Sequence, residues 1–366
     1  MRSALSAVLF VRGGGASSRD AYTGFRQDAV RHRQPSIDAP GTEPYAIAMR
    51  TCLILDDYQQ AALELADWGR IADRVAVSAI AEHIPDRETL RARIDQAEIL
   101  VIMRERTPFP AALLERLPRL KLLVTSGMRN LAIDVASARS RGVTVCGTES
   151  SPTPPTELTW ALILGLARHV VPESRNLRDG GPWQSTIGSD LAGATLGILG
   201  LGKIGTRVAE IARAFGMRVI AWSPNLDEAR AAAAGVERAA SKEALLEASD
   251  VVTIHLVLGE RTRGLLGEAE LRRMRRGAVL VNTSRAPIVD QVALVRALEA
   301  GWIAGAGLDV FETEPLPADS PFRRLPNVLA LPHLGYVSRN NYRTFFTQAV
   351  EDIEAWLAGS PIRELG

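Results

Sequence analysis

Cysteine is scarce in this chain, which has only Cys52 and Cys146 among its 366 residues. Both stand in short apolar runs, CLIL and VTVC, that are typical of buried strands. We therefore predict two buried free thiols rather than a disulfide framework. Free thiols are typical of a reducing compartment, so we expect the protein in the cytoplasm.

The sequence also lacks an excess of charge of either sign and lacks long hydrophobic runs. Lys and Arg total 43 and Asp and Glu total 42, so the net charge of +1 gives no electrostatic reason to expect nucleic acid or an anionic membrane as a partner. No uninterrupted apolar run approaches the roughly 20 residues that a membrane-spanning helix needs. The length and the ordinary hydrophobic content of 46% instead suit two globular domains.

The first 48 residues differ in composition from the rest of the chain. They include the turn-rich segments GGGASS and QPSIDAPGTEP, and they carry six arginines against four acids. We predict a disordered tail over residues 1–48, and the four acids count against the alternative of a transit peptide. Met49 directly precedes the first predicted strand and is a candidate translation start.

Short apolar runs alternate with amphipathic stretches in two series along the chain. The first series runs from Thr51 to about Cys146 and comprises CLILDD, RVAVS, EILVIM, LKLLVTSG and VTVCG. The second begins at Thr195 and comprises TLGILG, MRVIAW, DVVTIHL, AVLVNTS, GAGLDV and NVLALPH. Alternation of strands and helices predicts βαβ units and parallel sheets. The six strands of the second series match a doubly wound sheet.

The segment SSPTPP separates the two series and predicts a domain boundary. Thr156 is a candidate cap for the following stretch, ELTWALILGLARHV, which is apolar on most faces and therefore predicts a buried helix. A last helix at about 339–358 follows the final strand and can return to the first domain. We predict a substrate domain over residues 50–150 plus 335–366 and a coenzyme domain over residues 151–334.

A glycine-rich loop, GLGKIG, opens the second series, and we assign cofactor binding to Gly200, Gly202, Lys203, Ile204 and Gly205. The loop follows an apolar strand and begins an amphipathic helix, which is the context of a dinucleotide-binding loop. Gly200 allows the tight turn, Gly202 lets the backbone approach a pyrophosphate, and Gly205 lets helix and strand pack closely. The helix N-terminus then offers free N–H groups to the phosphates. The alternative is a glycine-rich turn without a ligand.

The next strand, MRVIAW, ends where an acid would bind the adenosine ribose, but Ser223 stands there instead. An acid at this place would accept hydrogen bonds from the ribose hydroxyls and repel a 2′-phosphate. Ser223 does neither strongly, and Arg230 is several residues further on. The predicted cofactor is therefore NAD or NADP, with NAD favoured because no arginine is adjacent to Ser223.

Three later segments place polar residues at predicted strand ends, where ligands bind in open α/β sheets. They are VNTSRAPIVD with Arg285, GLDVFETEP with Asp309 and Glu314, and LPHLGY with His333. His333 can protonate a developing alkoxide, and Glu314 can orient and stabilise the imidazolium. Arg285 can pair with a substrate carboxylate and polarise the carbonyl. We predict these three residues as the catalytic set and predict no metal ligand.

These motifs, in this order and spacing, resemble the D-isomer-specific 2-hydroxyacid dehydrogenase family from about Arg50 to the C-terminus. The resemblance implies an α/β fold of two doubly wound domains, a flavodoxin-like substrate domain and a Rossmann coenzyme domain. It implies Arg285, Glu314 and His333 as the catalytic set. It also implies Thr283 and Asp309 near the nicotinamide end of the cofactor, and, by analogy with relatives, a homodimer.

The family binds the substrate carboxylate through backbone N–H groups of a glycine-rich loop in the first domain. The matching stretch here is TSGMRN, and the resemblance implies substrate binding by Gly127, Met128 and Arg129. Arg129 replaces the usual second glycine, which changes the loop from the family pattern. Arg104, in MRERTPF, resembles a residue at the pocket edge, with a plain surface charge as the alternative.

The predicted function is hydride transfer between a nicotinamide cofactor and a small 2-oxo acid or its D-2-hydroxy acid. An NADPH-dependent glyoxylate or hydroxypyruvate reductase shares this chemistry and is one alternative. A dinucleotide-sensing scaffold of the same fold, such as a transcriptional corepressor, is another, because such proteins can retain the same three residues. Turnover of a panel of 2-oxo acids separates an enzyme from a scaffold.

Replacement of Ser223 by Asp tests the assignment of the ribose-binding position. A carboxylate there should repel a 2′-phosphate, so the Ser223→Asp variant should lose more kcat/KM with NADPH than with NADH. Steady-state kinetics with both cofactors on one 2-oxo acid provide the measurement. Equal changes with the two cofactors would mean that Ser223 does not face the ribose.

Overall fold

The computed structural model of the protein describes residues 49–366, so the predicted tail over residues 1–48 lies outside the described residues. The first of its two parallel sheets comprises β1 (Arg50–Ile54), β2 (Val75–Ala79), β3 (Ile99–Ile102), β4 (Leu122–Thr125) and β5 (Thr144–Gly147). Their order is β2-β1-β3-β4-β5, and every pairing is parallel. This is the strand order of the flavodoxin-like fold.

Alternate residues of the central strands bury their side chains on opposite faces of the first sheet, as the strand period of two requires. In β3, Ile99 and Val101 join one apolar cluster, and Leu100 and Ile102 join another. The helices that flank this sheet are α1 (Arg87–Ile94), α2 (Ala111–Leu114), α3 (Val135–Ser140) and α11 (Arg339–Leu357). The last helix therefore returns to the first sheet, as the sequence predicts, and its Phe345 packs in the same cluster as Ile99.

The second sheet comprises β6 (Thr195–Leu199), β7 (Arg218–Trp222), β8 (Glu237–Arg238), β9 (Val251–Ile254), β10 (Val279–Asn282), β11 (Gly305–Leu308) and β12 (Val328–Ala330). Its order is β12-β11-β10-β9-β6-β7-β8, again with parallel pairings. This is the doubly wound Rossmann order with one strand added at the β12 edge. The predicted number of six strands is wrong by one, because β8 is an exposed charged pair without an apolar run.

Helices cover both faces of the second sheet: α4 (Thr153–Ala167), α6 (Lys203–Ala214), α7 (Glu228–Ala233), α8 (Lys242–Ala248), α9 (Glu268–Arg273) and α10 (Gln291–Glu299). A further helix, α5 (Val170–Arg178), contacts α4. The predicted burial of α4 holds for one side only: Trp160, Leu162 and Ile163 contribute to the core, whereas Glu157 and Ala161 are exposed. The prediction that Thr156 caps this helix is wrong. The helix begins three residues earlier, and the Thr156 hydroxyl donates to the Pro152 carbonyl within the first turn.

The apolar stretch predicted as one helix is divided where His169 adopts a left-handed backbone, with φ of 51°. The chain restarts there as α5, none of whose residues is buried. The domain boundaries near residues 150 and 335 stay a prediction. In the part of the chain that is described, no helix has both the length and the hydropathy needed to cross a membrane.

Candidate active site

The predicted catalytic residues meet where the carboxyl ends of both sheets face one cleft. Two adjoining cavities, of about 820 and 370 Å³, occupy this cleft. Their shared walls are formed by residues from loops of both sheets: Arg104, Glu105, Leu131, Leu258, Arg285, His333 and Tyr336. The smaller cavity also reaches Lys203, Ile204, Thr283 and Arg129. The two sheets therefore supply the walls of one composite site.

His333 and Glu314 form a close pair in this cleft. The His333 Nδ1 lies 2.6 Å from the Glu314 Oε2, and the other Glu314 oxygen accepts the N–H of Phe311 at 2.9 Å. Burial raises the pKa of the Glu314 carboxyl, but the hydrogen bond and charge of His333 and the N–H of Phe311 outweigh it and hold that pKa below its ordinary value. An ionised Glu314 fixes a proton on Nδ1 and leaves Nε2 for a ligand.

Asp309 holds the loop that carries His333. Its side chain is fully buried, and its two oxygens accept the N–H groups of Leu334 at 2.7 Å and Gly335 at 2.8 Å. Burial raises the pKa of Asp309 to about 6 against the opposing effect of these donors. A side chain on Gly335 would place its Cβ 3.0 Å from the Asp309 carboxylate, so any larger residue there would crowd this contact. Asp309 is a positioning residue for His333 in this structure.

Arg285 faces a carboxylate that sequence reasoning missed. Its Nη2 donates to Glu105 Oε1 at 2.9 Å, and its Nη1 donates to the Ser284 carbonyl at 2.8 Å. The Nε of Arg104 lies 3.7 Å from the other Glu105 oxygen. Burial raises the pKa of Glu105, but Arg285 and Arg104 together lower it below its ordinary value. An ion pair thus joins a loop of the first sheet to a loop of the second.

The three glycines of the cofactor loop meet three different constraints. Gly200 has φ of 102°, and a Cβ there would lie 2.7 Å from the backbone of His255. A Cβ on Gly205 would lie 2.1 Å from the Gly200 carbonyl oxygen, so only glycine lets α6 pack on β6 this closely. A Cβ on Gly202 would meet nothing within 4 Å. Space therefore remains open above the N-terminus of α6, where a pyrophosphate fits.

Of the other predicted cofactor residues, Thr283 lies in the cleft and Ser223 lies outside it. Thr283 lines the smaller cavity, and its hydroxyl lies 2.9 Å from that of Thr159. Ser223 directly follows β7 and is partly exposed, outside both cavity walls. Arg230 is exposed and bonds the Asn225 carbonyl at 3.3 Å.

The predicted substrate loop lies beside Arg104. Gly127 has φ of 95°, and a Cβ there would lie 2.9 Å from the Arg104 guanidinium. The Gly127 N–H donates to the Thr148 hydroxyl at 3.0 Å, so this amide is already occupied. Within residues 49–366, the N–H groups of Met128 and Arg129 have no acceptor. Arg129 lines the smaller cavity, whereas Gly127 and Met128 do not reach a cavity wall.

Arg104 is a cleft residue rather than a plain surface charge. It lines both cavities, and 20% of its side chain is exposed. Sequence reasoning missed Glu105, Arg106 and His83, which also line the larger cavity. The only signal for the first two was their place beside Arg104 at the end of a buried strand.

Comparison with known proteins agrees with this geometry. The family model for the D-isomer specific 2-hydroxyacid dehydrogenase NAD binding domain matches residues 160–335. A glyoxylate reductase of Korarchaeum cryptofilum is 39% identical over 282 residues, covering 75% of this chain and 84% of that protein. A D-3-phosphoglycerate dehydrogenase of Bacillus subtilis is 37% identical, covering 72% of this chain and 50% of that protein. A solved phosphoglycerate oxidoreductase from Vibrio cholerae has a TM-score of 0.81 and 37% identity, covering 85% of this chain and all of that one.

The fold and the site define a nicotinamide-dependent oxidoreductase. The chain belongs to the D-isomer specific 2-hydroxyacid dehydrogenase family. It transfers a hydride between NAD or NADP and a 2-oxo or 2-hydroxy acid, and the predictions of family, α/β fold, enzyme class and cofactor are confirmed. The roles of the individual site residues stay predictions.

Replacement of Asp309 by Asn tests its positioning role. An amide presents one acceptor and one donor, so the N–H of Leu334 or Gly335 would lose its partner at a cost of roughly 1–3 kcal/mol. We expect Asp309→Asn to lower kcat by about 10-fold or more and to lower Tm, with dinucleotide affinity retained. Kinetics, thermal unfolding and cofactor titration provide the measurements. A variant with wild-type kcat would show that the loop holds His333 without this carboxylate.

Proposed function

We propose that the protein reduces a small 2-oxo acid to the D-2-hydroxy acid in the cleft between the two sheets. The observation that carries the proposal is the meeting of the His333–Glu314 pair, Arg285 and the opening of the cofactor loop in two adjoining cavities. A proton donor, a guanidinium and a dinucleotide loop are the groups that carbonyl reduction requires. Glyoxylate is a reasonable first substrate to assay, because two relatives bear the name glyoxylate reductase.

The dinucleotide, when bound, supplies or accepts the hydride. The chain's own part is to hold it and to manage the substrate. We assign Gly200, Gly202 and Gly205, with Lys203 and Ile204, to the phosphates, because the open space above Gly202 adjoins the helix N-terminus. Ser223 and Thr283 are assigned to the ribose and nicotinamide ends. Asp309 is assigned to the nicotinamide end through the loop that it positions.

In the proposed mechanism, His333 donates a proton from Nε2 to the substrate oxygen during reduction. Glu314 keeps Nδ1–H directed at its carboxylate and stabilises the imidazolium. Arg285 pairs with the substrate carboxylate and polarises the carbonyl. The free N–H groups of Met128 and Arg129, beside Gly127 and Arg104, are assigned to the same carboxylate. Oxidation of the hydroxy acid uses the same groups in reverse, with His333 accepting the proton.

Domain organisation and location belong to the same proposal. The substrate domain comprises residues 50–150 and 335–366 and the coenzyme domain residues 151–334, because α11 packs on the first sheet. We assign the enzyme to the cytoplasm because Cys52 and Cys146 are both free and buried. Burial raises the pKa of the Cys146 thiol to about 12, so it is protonated and unreactive.

Three substitutions should separate binding from proton transfer. His333→Ala should lower turnover by roughly 10²–10⁴-fold while leaving dinucleotide affinity nearly intact. Arg285→Ala should damage both KM and kcat, because it is assigned to carboxylate and carbonyl. In Glu314→Gln, the imidazolium loses its carboxylate, so the alkaline limit of reduction should move to lower pH. Kinetics across pH on one active 2-oxo acid, with cofactor titration as control, provide the measurement. Near-normal turnover by the His333 variant would refute the mechanism.

We also propose a homodimer that uses the exposed apolar side chains on α5 and the segment after it. Among them, Leu177 is 62%, Trp183 80% and Ile187 95% exposed. Apolar side chains clustered in this way mark interaction surfaces in soluble proteins. The matching surface of a second copy would cover them in a two-fold arrangement.

The double variant Trp183→Glu/Ile187→Glu should convert the dimer to a monomer, because charges would be buried against an apolar partner. Val292→Glu is the matched control, because Val292 lies on α10 and is 64% exposed. This variant should leave the mass of the particle in solution unchanged. Analytical ultracentrifugation measures the mass in solution. A wild-type protein that is monomeric at assay concentration would refute the proposal.

A further inference from the structure

The larger cavity extends well beyond the pair of His333 and Glu314. Its volume of about 820 Å³ lies in the range of pockets that enclose drug-sized ligands, which is more room than a bare two- or three-carbon acid needs. One part of the cavity wall is formed by loops that follow strands of the first sheet, and it includes Tyr58, His83 and Arg106. These side chains therefore lie where the side chain of a longer substrate would extend.

Arg106 is a half-buried cation that forms no close ion pair in the described part of the chain, although its charge contributes to the lowered pKa of the Glu314 carboxyl. Its guanidinium lies 4.6 Å from the centre of the Tyr58 ring and 5.4 Å from that of Tyr336, and its Nε donates to the Tyr336 hydroxyl. Burial raises the pKa of both phenols, so neither neutralises the charge. Within residues 49–366, no acidic oxygen lies within 4.0 Å of Arg106, and its Nη1 and Nη2 have no hydrogen-bond acceptor.

The cavity's acidic groups are engaged elsewhere. Glu105 pairs with Arg285, Glu314 pairs with His333, and Glu88 pairs with Arg116 at the rim. Glu312 is exposed to solvent. Arg87 also lines the cavity but is exposed to solvent. Arg104 also has terminal N–H groups without an acceptor, but its Nε lies 3.7 Å from Glu105. Within residues 49–366, Arg106 is thus the partly buried arginine of this cavity wall that has no carboxylate oxygen within 4.0 Å.

A hydrogen-bond network holds the wall around Arg106 in place. Asp56 is buried and has φ of 57°. One of its oxygens lies 3.0 Å from the His83 Nδ1, and the other accepts the Thr107 hydroxyl at 2.7 Å. These three residues follow β1, β2 and β3, so a single carboxylate ties together the ends of three adjacent strands. The residue next to Thr107 is Arg106, whose backbone is therefore fixed before a ligand arrives.

Arg106 and His333 share contact with one aromatic ring. The His333 ring lies 5.6 Å from the Tyr336 ring and the Arg106 guanidinium 5.4 Å from it. We propose that Arg106 forms a second anion-binding subsite of this cavity, and that the substrate is a 2-oxo acid whose side chain ends in a carboxylate or a phosphate. The guanidinium fork matches either anion. This assignment rests on the proposed function, since the substrate's oxo group would lie at His333.

The test compares pairs of 2-oxo acids in which one member carries a distal carboxylate or phosphate that the other lacks. The pairs are 2-oxobutyrate with oxaloacetate, 2-oxovalerate with 2-oxoglutarate, and hydroxypyruvate with its phosphate ester. For at least one pair, wild type should show a kcat/KM about 10-fold or more higher for the acid with the distal anion, here called the dianion, than for its partner. Which pair shows this preference tells whether the subsite binds a carboxylate or a phosphate. Arg106→Met should abolish this preference, and Arg106→Lys should restore part of it.

Arg87→Met is the matched control, because it removes the same charge from the exposed rim, and it should keep the wild-type preference. Binding is measured separately as the rise in Tm that each acid of the preferred pair causes in the presence of NAD⁺, NADP⁺ or both, where no reduction takes place. The dianion should stabilise wild type more than its partner does, and Arg106→Met should abolish the difference.

Two results would overturn the subsite. The first is that the wild-type enzyme reduces the monoanions, shows no higher kcat/KM for any dianion, and gains no larger rise in Tm from any dianion. The other is an Arg106→Met variant that loses both members of a pair equally, which would place Arg106 at the reaction centre or in the fold. If no acid is reduced but a dianion still stabilises wild type through Arg106, the subsite stands and the proposed reaction is wrong.

Discussion

The buried carboxylate of Asp309 is the contact on which the geometry of the site depends. It accepts two successive backbone N–H groups, and these belong to the residues directly after His333. His333 itself has φ of 55°, a backbone conformation that is unfavourable for a residue with a side chain and persists only where its surroundings fix it. Burying the carboxylate is unfavourable, as its raised pKa shows, and the two donors offset part of that cost. The imidazole can then meet Glu314 at 2.6 Å.

The parallel topology explains why residues so far apart in sequence share one cleft. Every strand of a parallel sheet ends at the same edge, so the loops that follow the strands converge there. In this protein two such edges face each other, and Arg285 contacts Glu105 across them although 180 positions separate the two in the chain. The second sheet supplies the cofactor loop and the His333–Glu314 pair, whereas the first supplies Arg104, Glu105 and Arg106.

The sequence predicts those features whose signal lies within one short stretch of chain. The glycine loop, the strand-end segments around Arg285, Glu314 and His333, and the return of α11 are local patterns, and the structure brings those residues together. The prediction that Thr156 caps α4 is wrong because the prolines around it fix the chain and let the helix begin earlier. The ties from Asp56 to His83 and Thr107 join three separate loops, and no periodicity or motif marks them. The partner of Arg285 was missed for the same reason.

The ion pair between Arg285 and Glu105 bears on how a substrate carboxylate would bind. Two arginines flank Glu105, and its Oε2 is buried with no hydrogen-bond partner in the described part of the chain. An unpaired buried acceptor is unfavourable by roughly 1–3 kcal/mol, and the two nearby positive charges compensate for it. An arriving carboxylate must share these arginines with Glu105, so repulsion between the two anions opposes binding. The N–H groups of Met128 and Arg129 have no acceptor in the described part of the chain, so Glu105 does not compete for them. A substrate carboxylate that binds these N–H groups as well would depend less on displacing Glu105 from Arg285.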